Sequence, residues 1–230
     1  MVHFTLFGIP VYIRPSFWVV LAIFGGALSI SSVEDLIYPA LFVIAGFVAI
    51  LSHEMGHALV GRKLGGGQQT IVLELFGGLT SSHGMQLTRG GRALMILAGP
   101  MMTLLLGIIS LWLTWNIVAP VMTSYNLNFW DLAISPFTAA LISPKLYILS
   151  CLIMIGEWWT ILNLLPIYPL DGGQLIAQSI RSPRKVFMTG FITAILIGLL
   201  SFQLFHGYFI PIFMALFAYS NYREYKNAPF

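Results

Sequence analysis

The sequence predicts an α-helical polytopic membrane protein with six transmembrane helices and a small β-sheet at the membrane surface. Only 8% of its 230 residues are charged and 58% are hydrophobic, whereas a soluble domain is about 25% charged. No Asp, Glu, Lys or Arg occurs between Arg92 and Asp131, or between Lys185 and Arg223. Each of these stretches exceeds the roughly 20 apolar residues that cross a bilayer. This composition excludes a soluble enzyme, a disordered tail and a coiled coil.

Six apolar segments are predicted to be the spans of one intramembrane domain covering residues 1–230. The first begins after Arg14-Pro15, and the second follows Glu34-Asp35 and ends at Arg62-Lys63. Positively charged residues flank the later segments in the same way. The approximate spans are 17–30, 36–64, 91–118, 146–165, 186–202 and 209–218.

The charges at the ends of these segments indicate how the chain is oriented. Basic residues mark the start of spans one, three and five and the end of spans two, four and six, with Lys145 as the exception. The acidic residues Glu34, Asp35 and Asp131 fall on the other side. By the positive-inside rule, we expect both termini in the cytoplasm. The 11 Lys and Arg residues are therefore interpreted as topology signals, and no nucleic-acid partner is predicted.

Two segments outside the spans have the composition of strands. Phe4–Ile13 and Thr70–Ser82 are rich in β-branched and aromatic residues, and Gly77-Gly78 in the second indicates a tight turn. Both segments fall on the cytoplasmic side in the predicted topology. We expect them to form a small sheet at the membrane surface, with irregular amphipathic loops as the alternative.

The second span contains the motif H-E-x-x-H at residues 53–57. Residues four apart share one helix face, so His53 and His57 can bind one Zn²⁺ through their imidazoles. Glu54 is adjacent to the first ligand and can take a proton from a water molecule at the metal's open position. Ionisable groups inside a bilayer cost about 2.5–3.5 kcal/mol each, so three within five residues indicate a functional site. A polar patch lining a proton or ion path is the alternative.

A catalytic zinc usually has three protein ligands and one water molecule, so a third ligand is required. Asp171 is the strongest candidate because Pro166 and Pro169 end a helix before it and Gly172-Gly173 permits a sharp turn after it. Broken backbone at membrane depth is tolerated only inside protein or beside water. The other candidates are Glu74, His83, Asp131, Glu157 and His206. For Glu157, a place in the catalytic cleft and a polar contact between helices are equally compatible with the sequence.

These motifs together resemble the site-2 protease family of intramembrane zinc metalloproteases. Gly8–Trp18 is similar to the family's N-terminal strand and first helix, Leu97–Pro100 to its A-G-P signature, and Asn163–Gly173 to its N-x-x-P…L-D-G motif. The resemblance spans nearly the whole chain and implies a minimal six-helix core without PDZ or CBS modules. Thr103 and Tyr168 depart from the family pattern, which concerns substrate positioning rather than the ligands.

The resemblance implies a zinc site and a reaction. His53, His57 and Asp171 would bind one Zn²⁺ per chain, Glu54 would be the general base, and Asn163 an auxiliary residue that helps to hold the substrate or the oxyanion. The implied function is hydrolysis of peptide bonds in or near transmembrane segments, as in regulated intramembrane proteolysis. A membrane ion or proton transporter and a catalytically inactive peptide-binding relative are the alternatives.

The expected substrates are single-span or signal-anchor proteins in the lipid bilayer. The helix of such a substrate must unwind around the scissile peptide bond before cleavage, and an unwound segment can pair with an exposed strand edge. Thr70–Phe76 is predicted to be this edge, with Glu74, Gly77 and Gly78 as candidate substrate-binding or auxiliary residues. A sheet that only seals the cytoplasmic rim is the alternative. The expected location is a prokaryotic plasma membrane, with the active site toward the cytoplasm, and no oligomeric state is predicted.

Overall fold

The computed structural model describes residues 1–75, 77–84, 86–120 and 128–228. Within these ranges the strands are β1 (Val2–Leu6), β2 (Ile9–Ile13), β3 (Gln68–Glu74) and β4 (Gly77–His83). The helices are α1 (Pro15–Phe24), α2 (Ile37–Gly65), α3 (Arg89–Val118), α4 (Phe129–Ile134), α5 (Pro136–Ala140), α6 (Pro144–Asn163), α7 (Asp171–Ser179), α8 (Pro183–Phe205) and α9 (Phe209–Asn227). Two short 3₁₀ turns, Ala27–Ser29 and Glu34–Leu36, lie between α1 and α2.

Among the described residues, four helices are long and apolar enough to cross a membrane, which makes the chain a multi-pass membrane protein. They are Ile37–Gly65, Arg89–Val118, Pro144–Asn163 and Pro183–Leu204, and they coincide with the second to fifth predicted spans. The first predicted span is shorter in the structure, because α1 has 10 residues and ends at Phe24 before Gly25-Gly26. A helix of that length reaches about 15 Å, half of the hydrocarbon core. The spans at 17–30 and 209–218 stay predictions.

The sheet confirms the strand prediction and shows how the two strand segments join. Its strand order is β1-β2-β3-β4, with antiparallel pairs at both sides and a parallel pair of β2 with β3 in the centre. In that pair Tyr12 lies opposite Val72. Alternate residues of the two central strands are buried, as one-sided strands require, and they pack against α1 and α2. These are Ile9, Val11, Ile13, Ile71 and Leu73.

The topology corrects the prediction that Thr70–Phe76 is an exposed edge. Strand β3, which contains Thr70–Glu74 of this segment, has β2 on one side and β4 on the other, so its backbone groups are already paired. Phe76 lies outside the described residues. The edge of the sheet on the C-terminal side is β4. Gly77 and Gly78 also differ from the predicted turn, because they begin β4 and Gly77 pairs with Glu74.

The chain divides into two compact units, Met1–Thr160 and Ile161–Phe230, with the boundary inside α6. In the first unit the largest core lies between the sheet, α1 and α2, where Phe17, Leu21, Met55 and Ala58 are buried. The second unit has its own core, formed by Ile167, Ala194, Met214 and Ala218. The prediction of a single domain over 1–230 stays a prediction.

Candidate active site

The imidazole rings of His53 and His57 lie one helical turn apart on α2 and converge on one point. Their Nε2 atoms are 3.1 Å apart and their ring planes cross at 82°. Both side chains are buried, with 2% and 6% of their surface exposed. Two tetrahedral zinc ligands with Zn–N bonds of about 2.05 Å have nitrogen atoms about 3.3 Å apart. The observed separation therefore fits a shared metal ion.

A backbone carbonyl fixes the orientation of the second histidine. His57 Nδ1 lies 2.9 Å from the carbonyl oxygen of Met95 on α3. Because a carbonyl oxygen can only accept a hydrogen bond, Nδ1 is the donor and carries the proton. This leaves Nε2 as the ligand atom, which is the usual arrangement for a metal-binding histidine supported from its other ring nitrogen.

Gly99 on α3 leaves open the space in front of both imidazoles. A β-carbon at this position would overlap Nε2 and Cε1 of His57 and would lie 2.9 Å from Nε2 of His53. Close to it, Gly56 on α2 faces the backbone of Ala98, and a β-carbon there would overlap the Ala98 carbonyl. The small residues bring α2 and α3 close together at the height of the histidines. They explain physically why the A-G-P sequence accompanies the histidine motif.

The carboxylate of Glu54 is buried beneath the edge strand of the sheet, with 5% of the residue exposed. The hydroxyl of Thr80 on β4 lies 2.8 Å from Glu54 Oε2 and 3.1 Å from the Glu54 carbonyl oxygen. Gly78 faces the same side chain, since a β-carbon there would overlap Cγ and Cδ of Glu54. The structure thus places Gly78 at the predicted base and adds Thr80, which the sequence analysis did not identify.

Gly77 contacts a different side chain of the same unit. A β-carbon at Gly77 would overlap the ring of Trp159 on α6. The Trp159 ring meets His53 edge-on, with ring centroids 6.4 Å apart and an interplanar angle of 85°. Gly77 therefore packs against Trp159, and Trp159 in turn packs against His53. Neither Trp159 nor the Met95 carbonyl carries a motif, so only the folded arrangement identifies them.

Two of the predicted acidic candidates lie in other surroundings. Glu74, at the end of β3, forms a 2.9 Å ion pair with Arg14, and both side chains are partly exposed. Glu157 is exposed on α6 and lines a cavity of about 70 Å³ beside Thr103 and Gly107 of α3. Thr103, one of the departures from the family pattern, shares a 2.7 Å hydrogen bond with Thr160 between α3 and α6.

Asp171 and Asn163 belong to the second unit, and both are buried. Asp171 is the first residue of α7, whereas Asn163 is the last residue of α6. A β-carbon at Gly172 or Gly173 would overlap backbone atoms of the connecting loop, from Leu164 to Tyr168. The two glycines therefore allow the loop to fold back onto the start of α7, as their turn-forming character predicts.

Comparison with known proteins identifies a protein family that the chain matches and a solved structure with a similar fold. Residues 41–205 match peptidase family M50. A zinc metalloprotease of Methanocaldococcus jannaschii is 29% identical over 223 residues, which are 94% of this chain and 57% of that relative. The chain thus spans little more than half the length of that relative. A solved structure, a site-2 protease from Methanocaldococcus jannaschii, is similar with a TM-score of 0.61 and 23% identity over 97% of this chain and 94% of that one.

Proposed function

The chain belongs to peptidase family M50, and from this membership together with its buried site we propose that it is an intramembrane zinc endopeptidase of the site-2 protease type. Its main support is the pair of imidazole Nε2 atoms 3.1 Å apart on a membrane-spanning helix, directly beside the buried carboxylate of Glu54. Two imidazoles and a carboxylate in adjacent helical turns are costly in a bilayer unless they serve a site.

The proposed zinc ligands are His53, His57 and Asp171. All three side chains are buried and are of residue types that could hold a metal ion. Two imidazoles with one carboxylate are a donor set used by catalytic zinc sites, which keep a further position for water or substrate. When bound, Zn²⁺ polarises the peptide carbonyl and lowers the pKa of water toward 7. One ion per chain is expected from this donor set.

The protein's own groups then supply proton transfer and orientation. Glu54 accepts a proton from the attacking water and passes it to the nitrogen of the leaving amine. Thr80 orients the carboxylate through its 2.8 Å hydrogen bond to Oε2, and the Met95 carbonyl keeps the proton of His57 on Nδ1. Asn163 is proposed, from the resemblance, to hold the substrate or the oxyanion. Burial of Glu54 in a medium of low dielectric strengthens each of these electrostatic interactions.

The proposed substrates are single-span or signal-anchor membrane proteins, cleaved in or near their transmembrane segments. An unwound substrate can add to an edge strand, and because β3 is central in the sheet, the edge proposed for this role is β4. Leu79, with 59% of its surface exposed, is the position at which a cross-link tests the pairing. A Leu79→Cys chain should form a disulfide with a substrate that carries a cysteine near its cleavage site, and none should form if substrates bind elsewhere.

The orientation proposed for the chain places both termini and the active site toward the cytoplasm of a prokaryotic plasma membrane. It follows from the basic residues at the ends of the spans. A cysteine-accessibility assay with a membrane-impermeant reagent tests it. Labelling of an added C-terminal cysteine from the outside of intact cells would contradict the orientation.

Co-expression with a panel of single-span proteins tests the function. Wild-type chain should cleave at least one of them, and Glu54→Gln should abolish cleavage while keeping one zinc per chain, because the ligands are unchanged. Cleavage by Glu54→Gln at the wild-type rate would contradict the mechanism. Zinc binding without cleavage of any substrate would instead support a peptide-binding relative, and Glu54-dependent ion flux into liposomes would support a transporter.

A further inference from the structure

We propose that Asn221 on α9 is a positioning residue for Asp171, because its side-chain amide fixes the loop that leads into this carboxylate. The inference rests on the proposed function, in which Asp171 is the third zinc ligand. It concerns a residue outside all the motifs singled out above, and every contact that supports it lies within the second unit.

Asn221 is one of the most deeply buried polar residues of the chain, with 1% of its surface exposed. Its Nδ2 atom donates to the carbonyl oxygen of Tyr168 at 2.6 Å and to that of Phe217, one turn earlier in α9, at 2.9 Å. Tyr168 precedes Asp171 by three residues. A buried amide costs free energy unless its hydrogen bonds are made, so the short bond to Tyr168 favours one position of the loop.

The loop transmits this constraint to Asp171 because it has little internal freedom. The amide of Ile167 donates to the Leu165 carbonyl at 2.7 Å, and the amide of Leu170 donates to the Ile167 carbonyl at 2.8 Å. The side chain of Gln174 on α7 donates to the Pro169 carbonyl at 2.9 Å. A shift of the Tyr168 carbonyl would therefore displace the first turn of α7, in which Asp171 is the first residue.

The neighbouring helix α8 is shaped to accommodate this contact. Gly190 faces Asn221, and a β-carbon at Gly190 would overlap Oδ1 of the amide and would lie 3.3 Å from the backbone nitrogen of Tyr168. Three segments thus meet at the amide: the loop, α8 through a residue without a side chain, and α9 through Asn221 itself. Packing of α8 against α9 alone would not require an amide donor directed at the loop.

The test compares zinc affinity in Asn221 variants of the full chain reconstituted in nanodiscs. Asn221→Leu removes both the donor and the polarity, and Asn221→Asp keeps the shape but replaces the amide, with its two N–H donors, by a carboxyl group. Ser201→Ala is the matched control, since Ser201 is buried on α8 and donates to Gly198 of its own helix, at 2.9 Å. Affinity is measured by competition with a chelating dye, alongside the absorption spectrum of the Co²⁺-substituted protein.

We expect both Asn221 variants to bind zinc about tenfold more weakly than the wild type, as is found for other residues that orient a metal ligand without binding the metal. We also expect both variants to have an altered Co²⁺ spectrum. Ser201→Ala should match the wild type in both measurements. Wild-type affinity and spectrum in folded Asn221→Asp and Asn221→Leu would overturn the inference. If those two do not fold, Asn221→Ser takes their place, with the same criterion.

Failure of the proposed function is distinguishable in the same experiment. A wild-type chain that binds no zinc would overturn both the proposed function and the positioning role. A wild-type chain that binds one zinc and cleaves substrate, together with unaltered Asn221 variants, would overturn the positioning role alone. For variants that cleave, a lowered kcat with an unchanged KM supports misplacement of the zinc ligand, whereas an unchanged kcat contradicts it.

Discussion

The hydroxyl of Thr80 lies 2.8 Å from Oε2 of Glu54 and joins the edge strand of the sheet to the membrane-spanning helix that carries the carboxylate. Thr80 and Glu54 are 26 residues apart in sequence. Strand β4 determines where the carboxylate lies, because Thr80 contacts it and Gly78, which has no side chain, leaves room for it. The sheet therefore does more than cover the rim of the helices.

Removal of the Thr80 hydroxyl is predicted to slow hydrolysis without removing the metal. Thr80→Val keeps the shape of the side chain but leaves Glu54 Oε2 without this donor, so the carboxylate is less well oriented. We expect kcat to fall about tenfold, a fraction of the 10²–10⁴-fold that a general base contributes. Peptide cleavage and zinc content are measured on the same preparation. Thr80→Ser, which keeps the hydroxyl, is the control, and equal rates for Thr80→Val and wild type would contradict the role.

Addition of one methyl group at Gly78 is predicted to displace the base. The β-carbon of Gly78→Ala would overlap Cγ and Cδ of Glu54, so either the carboxylate or β4 must move. We expect cleavage to fall about a hundredfold while one zinc per chain is retained, because the ligands are not contacted. Gly90→Ala on α3, where a β-carbon meets nothing within 4 Å, should cleave normally. Normal cleavage by Gly78→Ala would show that this contact does not matter.

The corresponding change at Gly99 is predicted to affect the metal itself. Its β-carbon would occupy the space in front of Nε2 of both His53 and His57. We expect Gly99→Ala to lose stoichiometric zinc, measured by atomic absorption after gel filtration, and cleavage with it. Gly107→Ala lies on the same helix, and a β-carbon there meets nothing within 4 Å, so this variant should keep its zinc. One zinc per chain in Gly99→Ala would mean that the metal is bound elsewhere.

Asp35, in the 3₁₀ turn before α2, is predicted to have a carboxyl pKa below the usual value. Hydrogen bonds from the backbone and hydroxyl of Ser31, and from the backbone of Ser32, lower the pKa of its carboxyl below the usual 3.8. The ionised form thus stabilises the fold above pH 3.8, and this contribution is lost as the pH falls through the lower pKa of the folded chain. A ¹³C NMR titration of labelled Asp35 should have its midpoint below 3.8, and Ser31→Ala should raise it. A wild-type midpoint at or above 3.8 would refute the prediction.

Much of the fold could be predicted because it depends on local composition. Long apolar stretches with few charges predict the four helices that are long enough to span a membrane, since the bilayer leaves few alternatives to a helix. Spacing of i and i+4 predicts that His53 and His57 converge, because helix geometry is fixed by the backbone. Segments rich in β-branched and aromatic residues predict strands on either side of α2. In each case the interacting residues are near neighbours in the chain.

The remainder depends on contacts between distant residues. The parallel pairing of β2 with β3 spans two helices, and no local pattern indicates which strand lies at an edge. The prediction that Thr70–Phe76 is the edge is therefore wrong. Thr80 and Trp159 are ordinary residues of a strand and of an apolar helix, and their roles arise only from what lies opposite them. Gly99 belongs to a recognisable motif. The motif does not indicate that the absence of a side chain there leaves room for the two imidazoles.

The central strand pair joins segments that are translated before and after α2. Strand β2 emerges from the ribosome before α2, and β3 and β4 emerge only after it. The two imidazoles can therefore enter the bilayer while Glu54 still lacks Thr80 and Gly78, which are translated later. A nascent chain at this stage contains both histidines of the motif but not the Thr80 hydroxyl that contacts Glu54 in the folded chain. Under the proposed function, Glu54 can be oriented by Thr80 only after β4 has been translated, and the third ligand, Asp171, follows later still.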